Sequence, residues 1–283
     1  MAVVVLCSAG GSPGVTTAVV GLALAWPRPV VVIEADPTGA SAIVPGFLQG
    51  QQIPNHSVID LAIAQQQGHL SQTLLALTTP LGQSTASFIP AVKAHRQAAV
   101  MASVWEPLMD ELLGLDRAGM DVLIDAGRLG LEWFPTPLVV RSTATVMVTR
   151  CTLPAIAAAR VWTPWLPVVQ EQQATVVGLG LVNPGQTYSA REISRYLKLR
   201  SLLSLPHDPA GARVFAEGAT PRRRRFARSP LVQAFRSEAA SLARLGDDWA
   251  GRALDEPAVS LTDAAEPAVT ASPVGVIRGG WDV

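Results

Sequence analysis

A glycine-rich turn near the start of the chain carries residue types that bind phosphate. It follows an apolar run at residues 2–6 and precedes residues 15–26, which are rich in Ala, Val and Leu. These patterns predict a buried parallel strand and a helix. A turn between such elements directs backbone N–H groups inward, and the helix N-terminus adds positive potential. The predicted phosphate-binding residues are Gly10, Gly11, Ser12, Pro13, Gly14, Val15, Thr16 and Thr17.

The end of this turn has the spacing of a P-loop but lacks its lysine. In that motif a lysine follows the last glycine and reaches the phosphates, and the next hydroxyl binds Mg²⁺. Here Val15 follows Gly14, while Thr16 keeps the hydroxyl. The lysines of the chain, Lys93 and Lys198, are both far away in sequence. The functional question is therefore whether the turn still binds a nucleotide.

Two aspartates stand just after predicted strands, where ligands bind in α/β proteins. Residues 30–34 form a predicted strand that leads to Asp36, and residues 121–125 form another that ends at Asp125. Nucleotide hydrolases place a carboxylate at such a strand end beside the phosphate-bound magnesium. We predict that Asp36 and Asp125 are catalytic, and that Thr16 and Asp125 are the metal ligands. The alternatives are a solvated Asp-Pro turn at Asp36 and a capping role for Asp125.

Strand, turn and helix patterns recur along the chain and predict the elements that position these residues. The fold class is α/β, a mostly parallel twisted sheet flanked by helices. The predicted strands are residues 2–7, 30–34, 87–89, 121–125, 145–149, 176–182 and 202–205. The predicted helices after the first are residues 58–66, 70–77, 105–115, 190–199, 210–217 and 230–245. Residues 1–250 are the predicted domain, and residues 251–283 a flexible tail rich in Ala and Pro.

Composition narrows the function classes. The 283 residues are 49% hydrophobic with a net charge of +0, which supports a sizeable core and argues against a general nucleic-acid-binding surface. Cys7 and Cys151 predict no disulfide framework. No transmembrane segment or signal peptide is predicted, so we expect a cytoplasmic location. The arginines at 222–225 favour a solvated surface over a binding site, and Trp281 is either incidental or part of a docking peptide.

In order and placement, these segments resemble the ParA/MinD family of P-loop ATPases over residues 2–245. Residues 10–17 occupy the place of the family pattern Lys-Gly-Gly-x-Gly-Lys-Thr-Thr and differ from it at both lysines and at its second glycine, where Ser12 stands. Residues 34–39 are similar to Asp-x-Asp-Pro-x-Gly. Residues 121–125 are similar to the strand that leads to the family's switch region, and residues 206–218 to its late Pro-x-Asp segment and helix. The resemblance implies ATP and Mg²⁺ as cofactors and Asn183 as the residue that contacts adenine.

Two of these departures from the family pattern remove its lysines. Gly10 stands where the family has the lysine that reaches across a dimer, and Val15 stands where it has the P-loop lysine. One charge-assisted hydrogen bond contributes about 1.5–3 kcal/mol. We therefore expect ATP binding to be weak or lost. Arg128 or Arg150 is a candidate substitute cation, although an arginine does not reproduce the geometry of a lysine.

Three functions are compatible with these observations. The first is a binding or scaffolding subunit of a positioning, secretion or pilus-type assembly, with lost or very weak ATPase activity and a protein partner. The second is an active partitioning-type ATPase in which an arginine replaces the lysine. The third, a dinucleotide-binding oxidoreductase, is disfavoured because the glycine spacing does not match its motif. A homodimer is compatible with the resemblance, and Gly10 predicts that nucleotide does not drive it.

Overall fold

A single eight-stranded sheet organises the chain. The computed structural model describes residues 2–39, 41–220 and 226–255. The strands lie in the order β3-β4-β2-β5-β1-β6-β7-β8. Their bounds are β1 Val3–Ser8, β2 Val30–Glu34, β3 Thr79–Pro80, β4 Ala86–Ile89, β5 Asp121–Arg128, β6 Ala144–Arg150, β7 Val176–Val182 and β8 Ser201–Leu205.

Helices connect the strands and cover the sheet. Short 3₁₀ segments occupy Leu75–Leu77, His95–Gln97 and Leu115–Ala118. The α-helices in the described part of the chain are α1 Val15–Ala25, α2 Val58–Gln66, α3 Leu70–Leu74, α4 Ala98–Met101, α5 Trp105–Gly114, α6 Thr136–Arg141, α7 Leu153–Arg160, α8 Leu166–Gln173, α9 Ala190–Leu197, α10 Pro209–Glu217 and α11 Pro230–Asp255.

The strand pairing confirms the predicted fold class. Every neighbouring pair is parallel except β3 and β4, which pair antiparallel. All seven predicted strands belong to this sheet. The two-residue strand β3 was not predicted, and its Pro80 suits an edge position because proline has no backbone N–H to donate. Apolar runs buried on both faces are typical of parallel sheets, which explains why the patterns of the central strands were informative.

Apolar clusters lie on both faces of the sheet. The cluster beneath α1 and α11 includes Leu6, Leu22 and Phe235, and the opposite cluster includes Ile124 and Leu108. Helix α11 approaches α1 closely because Gly21 has no side chain. A Cβ added there would lie 2.1 Å from the ring of Phe235. This packing fixes α1, and with it the turn from which α1 begins.

The last helix is longer than predicted. The sequence pattern predicts an end at residue 245, whereas α11 continues to Asp255. The arginines at 222–225 and the predicted tail beyond residue 255, including Trp281, lie outside the described residues. In the described part of the chain, no helix is long and apolar enough to cross a membrane.

Candidate functional site

The candidate site lies where the carboxyl ends of the central strands meet. Strand β1 has β5 on one side and β6 on the other. The glycine-rich turn after β1 therefore lies between the loops that follow those strands. Ligands of open parallel sheets bind at such a crevice, where the strand order reverses.

Left-handed backbone conformations shape the glycine-rich turn. Gly11 has φ 72°, Ser12 has φ 44° and Gly14 has φ 103°. Gly14 is the N-cap of α1, and no side chain caps the helix there. The first-turn N–H groups of α1 are therefore available to an anion, which is the basis of phosphate binding at helix N-termini.

The turn and both predicted aspartates line one cleft. Its volume is about 520 Å³. Gly10 precedes it with φ 157°, a positive value that favours glycine. Predicted residues that line this cleft are Gly11, Ser12, Pro13, Gly14, Val15, Thr16, Thr17, Asp36 and Asp125.

The side chain of Val15 contributes no polar group to this cleft. Its side chain is only 8% exposed and belongs to the apolar cluster beneath α1. A branched aliphatic group cannot donate a hydrogen bond to phosphate oxygens, so it does not offset their loss of hydration. Arg128, the exposed last residue of β5, instead supplies a cation to the lining.

Thr16 and Asp125 are in direct contact. The Thr16 hydroxyl donates to Asp125 Oδ2 at 2.5 Å, and the Gly127 N–H donates to Oδ1 at 3.1 Å. Burial raises the pKa of Asp125 to about 6, against the effect of these two donors, and the nearby charge of Asp36 adds to the rise. Among the described residues, no arginine or lysine forms an ion pair with Asp125. Asp125 is thus a buried acid without a cation.

Asp36 faces Asp125 across a glycine. Its Oδ1 accepts hydrogen bonds from the Thr38 N–H at 2.8 Å and the Thr38 hydroxyl at 2.7 Å. The rest of the carboxyl packs against Gly127, where an added Cβ would lie 2.3 Å from Asp36 Cγ. Gly127 also has φ 69°, a conformation that favours glycine. This position therefore has to be glycine for the two acids to approach.

The Thr16–Asp125 pair fits a magnesium site of the kind that nucleotides complete. Hydroxyl and carboxylate oxygens are ligands that Mg²⁺ prefers, and protein sites supply few of them beside water and phosphate. The described residues contain no group of three or more His, Cys, Asp or Glu side chains able to hold a metal alone. Thr16 and Asp125 would hold the ion, which would neutralise phosphate charge when bound.

A second cleft lies on the other side of the turn and contains Asn183. Its volume is about 580 Å³, and it shares Ser12, Pro13, Gly14 and Thr17 with the first cleft. The Asn183 amide donates to Gln186 Oε1 at 2.6 Å. Arg150 lines this cleft, and its Nη2 donates to the Ser12 carbonyl at 3.4 Å. Apolar lining comes from Val182, Leu205, Leu231 and Phe235. An aromatic base suits such a lining.

Glu34 shapes the site from beneath and was not among the predicted site residues. Its carboxylate accepts from the Ser41 hydroxyl at 2.5 Å and from the backbone N–H groups of Ala42 and Ile43 at 3.0 and 3.2 Å. Burial raises the pKa of Glu34 to about 7. It thus anchors the segment that follows Asp36. Thr38 and Gln186 were also missed; the Asp-x-Thr spacing of a local turn is a signal for the first, and we find none for the second.

Solved structures with this fold include nucleotide hydrolases. No family model matches the chain, and no curated protein matches it. The cell division ATPase MinD of Pyrococcus furiosus is 18% identical with a TM-score of 0.66, covering 87% of this chain and 100% of its own. A ParA family ATPase from Chlorobium tepidum is 15% identical with a TM-score of 0.65, covering 84% and 98%. MinD in the MinC:MinD complex of Aquifex aeolicus is 16% identical with a TM-score of 0.63, covering 93% and 99%. The chain therefore has the fold of the MinD and ParA ATPases.

Proposed function

We propose that this chain is a ParA/MinD-like P-loop protein with lost or very weak ATPase activity. Its role is that of a binding or scaffolding subunit in a positioning, secretion or pilus-type assembly. The observation that carries the proposal is Val15, which packs into the core at 8% exposure where a P-loop lysine would meet phosphate. Gly10 removes the second family lysine from the same turn.

The missing cations affect hydrolysis more than binding. The backbone turn, the α1 N-terminus and the Thr16–Asp125 pair support weak binding of a nucleotide phosphate. Hydrolysis requires additional positive charge where the transition state develops negative charge. Asp36 and Asp125 add negative charge to the cleft instead. These features therefore support weak anion binding at this site and do not support efficient ATP hydrolysis.

A partner-binding role is supported by what proteins of this fold do. Two of the neighbours named above are called ATPases, and the third is a MinC:MinD cell division protein complex. A chain that keeps this fold without efficient hydrolysis would act through the surfaces that bind other proteins. We infer that a protein partner is the ligand that matters most.

The alternative is an active ATPase in which an arginine replaces the lysine. Arg128 favours it, because this exposed residue lines the same cleft as Thr16 and Asp125. Arginine binds phosphate through a planar fork, so its approach differs from that of a lysine on the turn itself. Hydrolysis abolished by Arg128→Ala would identify this mechanism.

Calorimetric titration with ATP, with and without Mg²⁺, tests the proposal. We expect a Kd no tighter than about 1 mM, near −4 kcal/mol. Phosphate release should equal that of a protein-free blank. Micromolar ATP binding together with turnover above the blank would contradict the proposal. Arg236→Glu, which changes an exposed arginine on α11 away from both clefts, is a matched control for charge.

A further inference from the structure

Helices α7 and α9 carry an exposed surface that differs in composition from the rest of the protein. The whole chain has a net charge of +0. On these helices and their C-terminal residues, cations and aliphatic side chains are exposed together. We call this the α7–α9 surface; its residues are Leu153, Ala157, Arg160, Val161, Arg191, Arg195, Tyr196 and Lys198.

A row of cations lies along α9. Arg191 and Arg195 are one helical turn apart, and Lys198 caps the C-terminus of the helix. All three are exposed. The acid of this helix, Glu192, is engaged locally, because its Oε2 accepts from the Ser189 N–H at 2.8 Å and the Ser189 hydroxyl at 2.6 Å. The row therefore presents excess positive charge to solvent.

An aliphatic stripe lies along α7. Leu153, Ala157 and Val161 recur every four residues and so share one face. Leu153 is 64% exposed and Val161 is 72% exposed. Exposed aliphatic residues that share one face in this way indicate a contact surface more strongly than scattered ones do.

One contact joins the stripe to the row. The Arg160 guanidinium lies over the Tyr196 ring, 5.9 Å from its centroid. Arg160 also donates to the Thr163 hydroxyl at 2.5 Å, which holds the guanidinium in place. Tyr196 is 58% exposed beside Arg195. Arg and Tyr are the residue types that most often dominate the energetics of protein interfaces.

We propose that the α7–α9 surface binds an acidic amphipathic segment of a partner protein, with aliphatic side chains on α7 and carboxylates on the α9 cations. A nucleic acid would use the cations but gains little from an aliphatic stripe at one edge of the row. An anionic membrane would use both halves, so the vesicle control has to distinguish it. The Arg160–Tyr196 contact between the halves favours a protein segment, because these residue types dominate protein interfaces. A purely apolar partner would leave three cations without an opposite charge. An acidic amphipathic segment complements both halves.

This inference rests on the proposed function, because it identifies the surface through which a binding subunit would act. The surface is also continuous with the candidate site. Helix α7 begins three residues after Arg150, and Arg150, Cys151 and Thr152 line the second cleft. A bound segment would therefore lie beside the cleft without filling it.

Fluorescence anisotropy with a synthetic peptide tests the inference. The probe is a labelled helical peptide of about 16 residues with Leu every third or fourth position and Glu between them. Its matched controls are a Gln-for-Glu peptide, a scrambled peptide, a short DNA duplex and phosphatidylglycerol vesicles. We expect the acidic peptide to bind at least about tenfold more tightly than the Gln and scrambled peptides.

Two double variants separate the halves of the surface. Arg191→Glu with Arg195→Glu, and Leu153→Ser with Val161→Ser, should each weaken peptide binding about tenfold. Matched controls are Arg236→Glu and Ile53→Ser, which change an exposed arginine and a 74% exposed isoleucine outside this surface. Both controls should bind the peptide like the unmodified chain.

Two outcomes would overturn the inference. One is equal binding of the acidic and Gln peptides. The other is DNA or vesicle binding that is tighter than binding of the acidic peptide and that the charge variant abolishes. Titrations repeated with ATP and Mg²⁺ keep this test apart from the proposed function. Tight ATP binding would contradict the pseudo-ATPase role alone, whereas loss of selective peptide binding contradicts this surface alone.

Discussion

Strand β5 carries two buried aspartates, at its first and fifth residues, and the two have opposite surroundings. Asp121 begins the strand and is 1% exposed, and Asp125, near its carboxyl end, is 2% exposed. Asp121 is surrounded by donors and a cation, whereas Asp125 has a hydroxyl, one backbone N–H and another acid nearby. Equal burial thus accompanies two different electrostatic situations on one strand.

Asp121 is held by a complete set of partners. It accepts from the Ala2 N–H at 2.7 Å, the Trp26 indole at 2.7 Å and Arg28 at 2.5 Å. Arg28 also pairs with Asp247 on α11 at 2.9 Å. A buried carboxylate with such partners ties the first strand, the first helix and the last helix together.

In the described part of the chain no basic side chain pairs with Asp125, and we propose that this residue marks where the sheet binds its ligand. Burial raises its pKa to about 6, which shows that the protein destabilises its ionised form. A cation that enters the cleft, or a proton, would relieve that destabilisation. The contrast teaches that burial of an acid indicates a site only where the protein supplies no counter-charge.

The largest expected effect on stability comes from removing the charge of Asp121. Asp121→Asn removes the charge opposite Arg28 and turns an amide donor toward the Trp26 indole N–H. We expect the free energy of unfolding to fall by about 3–5 kcal/mol, the scale of an interrupted buried ion pair. Urea unfolding at neutral pH measures it. Glu106→Gln, at an exposed acid on α5, is the control and should change stability by less than about 0.5 kcal/mol. A similar loss in both variants would refute the pairing argument.

The sequence predicts the surroundings of Asp125 better than those of Asp121. Asp125 was predicted because a strand end and a following glycine are local signals, and neighbouring parallel strands bring their ends together. The partners of Asp121 could not be predicted, because Arg28 lies 93 residues away and Asp247 is joined to Arg28 across 219. Such contacts depend on how the sheet orders its strands and on where α11 packs. The fold class was therefore predictable, whereas the side-chain partners were not.

Side-chain contacts in the second cleft were equally difficult to predict from the sequence. Asn183 was assigned from a resemblance, and it lies in a cleft that adjoins the turn. Its amide contact with Gln186, three residues on, depends on the left-handed conformation of Asn183, with φ 62°. No periodicity signals such a backbone conformation at a non-glycine residue. The position of this residue was predictable and its hydrogen bonding was not.

The pH dependence of stability tests whether Asp125 is destabilised by burial. Folding raises the pKa of Asp125 from 3.8 to about 6 and that of Glu34 from 4.5 to about 7. The folded state therefore binds more protons than the unfolded state in this range. Their contribution to stability is complete below about pH 4 and is lost as pH rises through about 6–7.

Asp125→Asn should remove the share of this pH dependence that belongs to Asp125. At pH 8 we expect the variant to be more stable than the unmodified chain by about 3 kcal/mol, and near pH 4 to be equal to it. Unfolding curves across this pH range measure the difference. Asp36→Asn, which removes the charge of the neighbouring acid, is measured for comparison. An Asp125→Asn curve parallel to that of the unmodified chain would show that Asp125 is not destabilised by burial.

Val15→Lys would give Asp125 the kind of partner that Asp121 already has. A lysine there adds a donor and a positive charge to the cleft, so ATP binding should tighten by about 1.5–3 kcal/mol, or about 10- to 100-fold. Calorimetry measures it, and Val15→Met, which adds length without charge, is the control. Full turnover should not return, because Gly10 still supplies no second cation. Unchanged ATP affinity in Val15→Lys would show that the turn no longer presents its N–H groups to phosphate.

The smallest expected effect concerns the arginines beside the two clefts. Arg150 contacts the turn through a single long hydrogen bond, 3.4 Å to the Ser12 carbonyl, whereas Arg28 pairs with two acids. Arg150→Ala should therefore change the free energy of unfolding by less than about 0.5 kcal/mol.

Arg128→Ala should also change the free energy of unfolding by less than about 0.5 kcal/mol. It should in addition weaken ATP or pyrophosphate binding severalfold, because Arg128 shares the cleft of Thr16 and Asp125. Each variant is compared with the unmodified chain by urea unfolding and by calorimetry with pyrophosphate. Weaker pyrophosphate binding in Arg150→Ala than in Arg128→Ala would move the anion site to the second cleft, and the contrast between the ends of β5 would then lose its functional meaning.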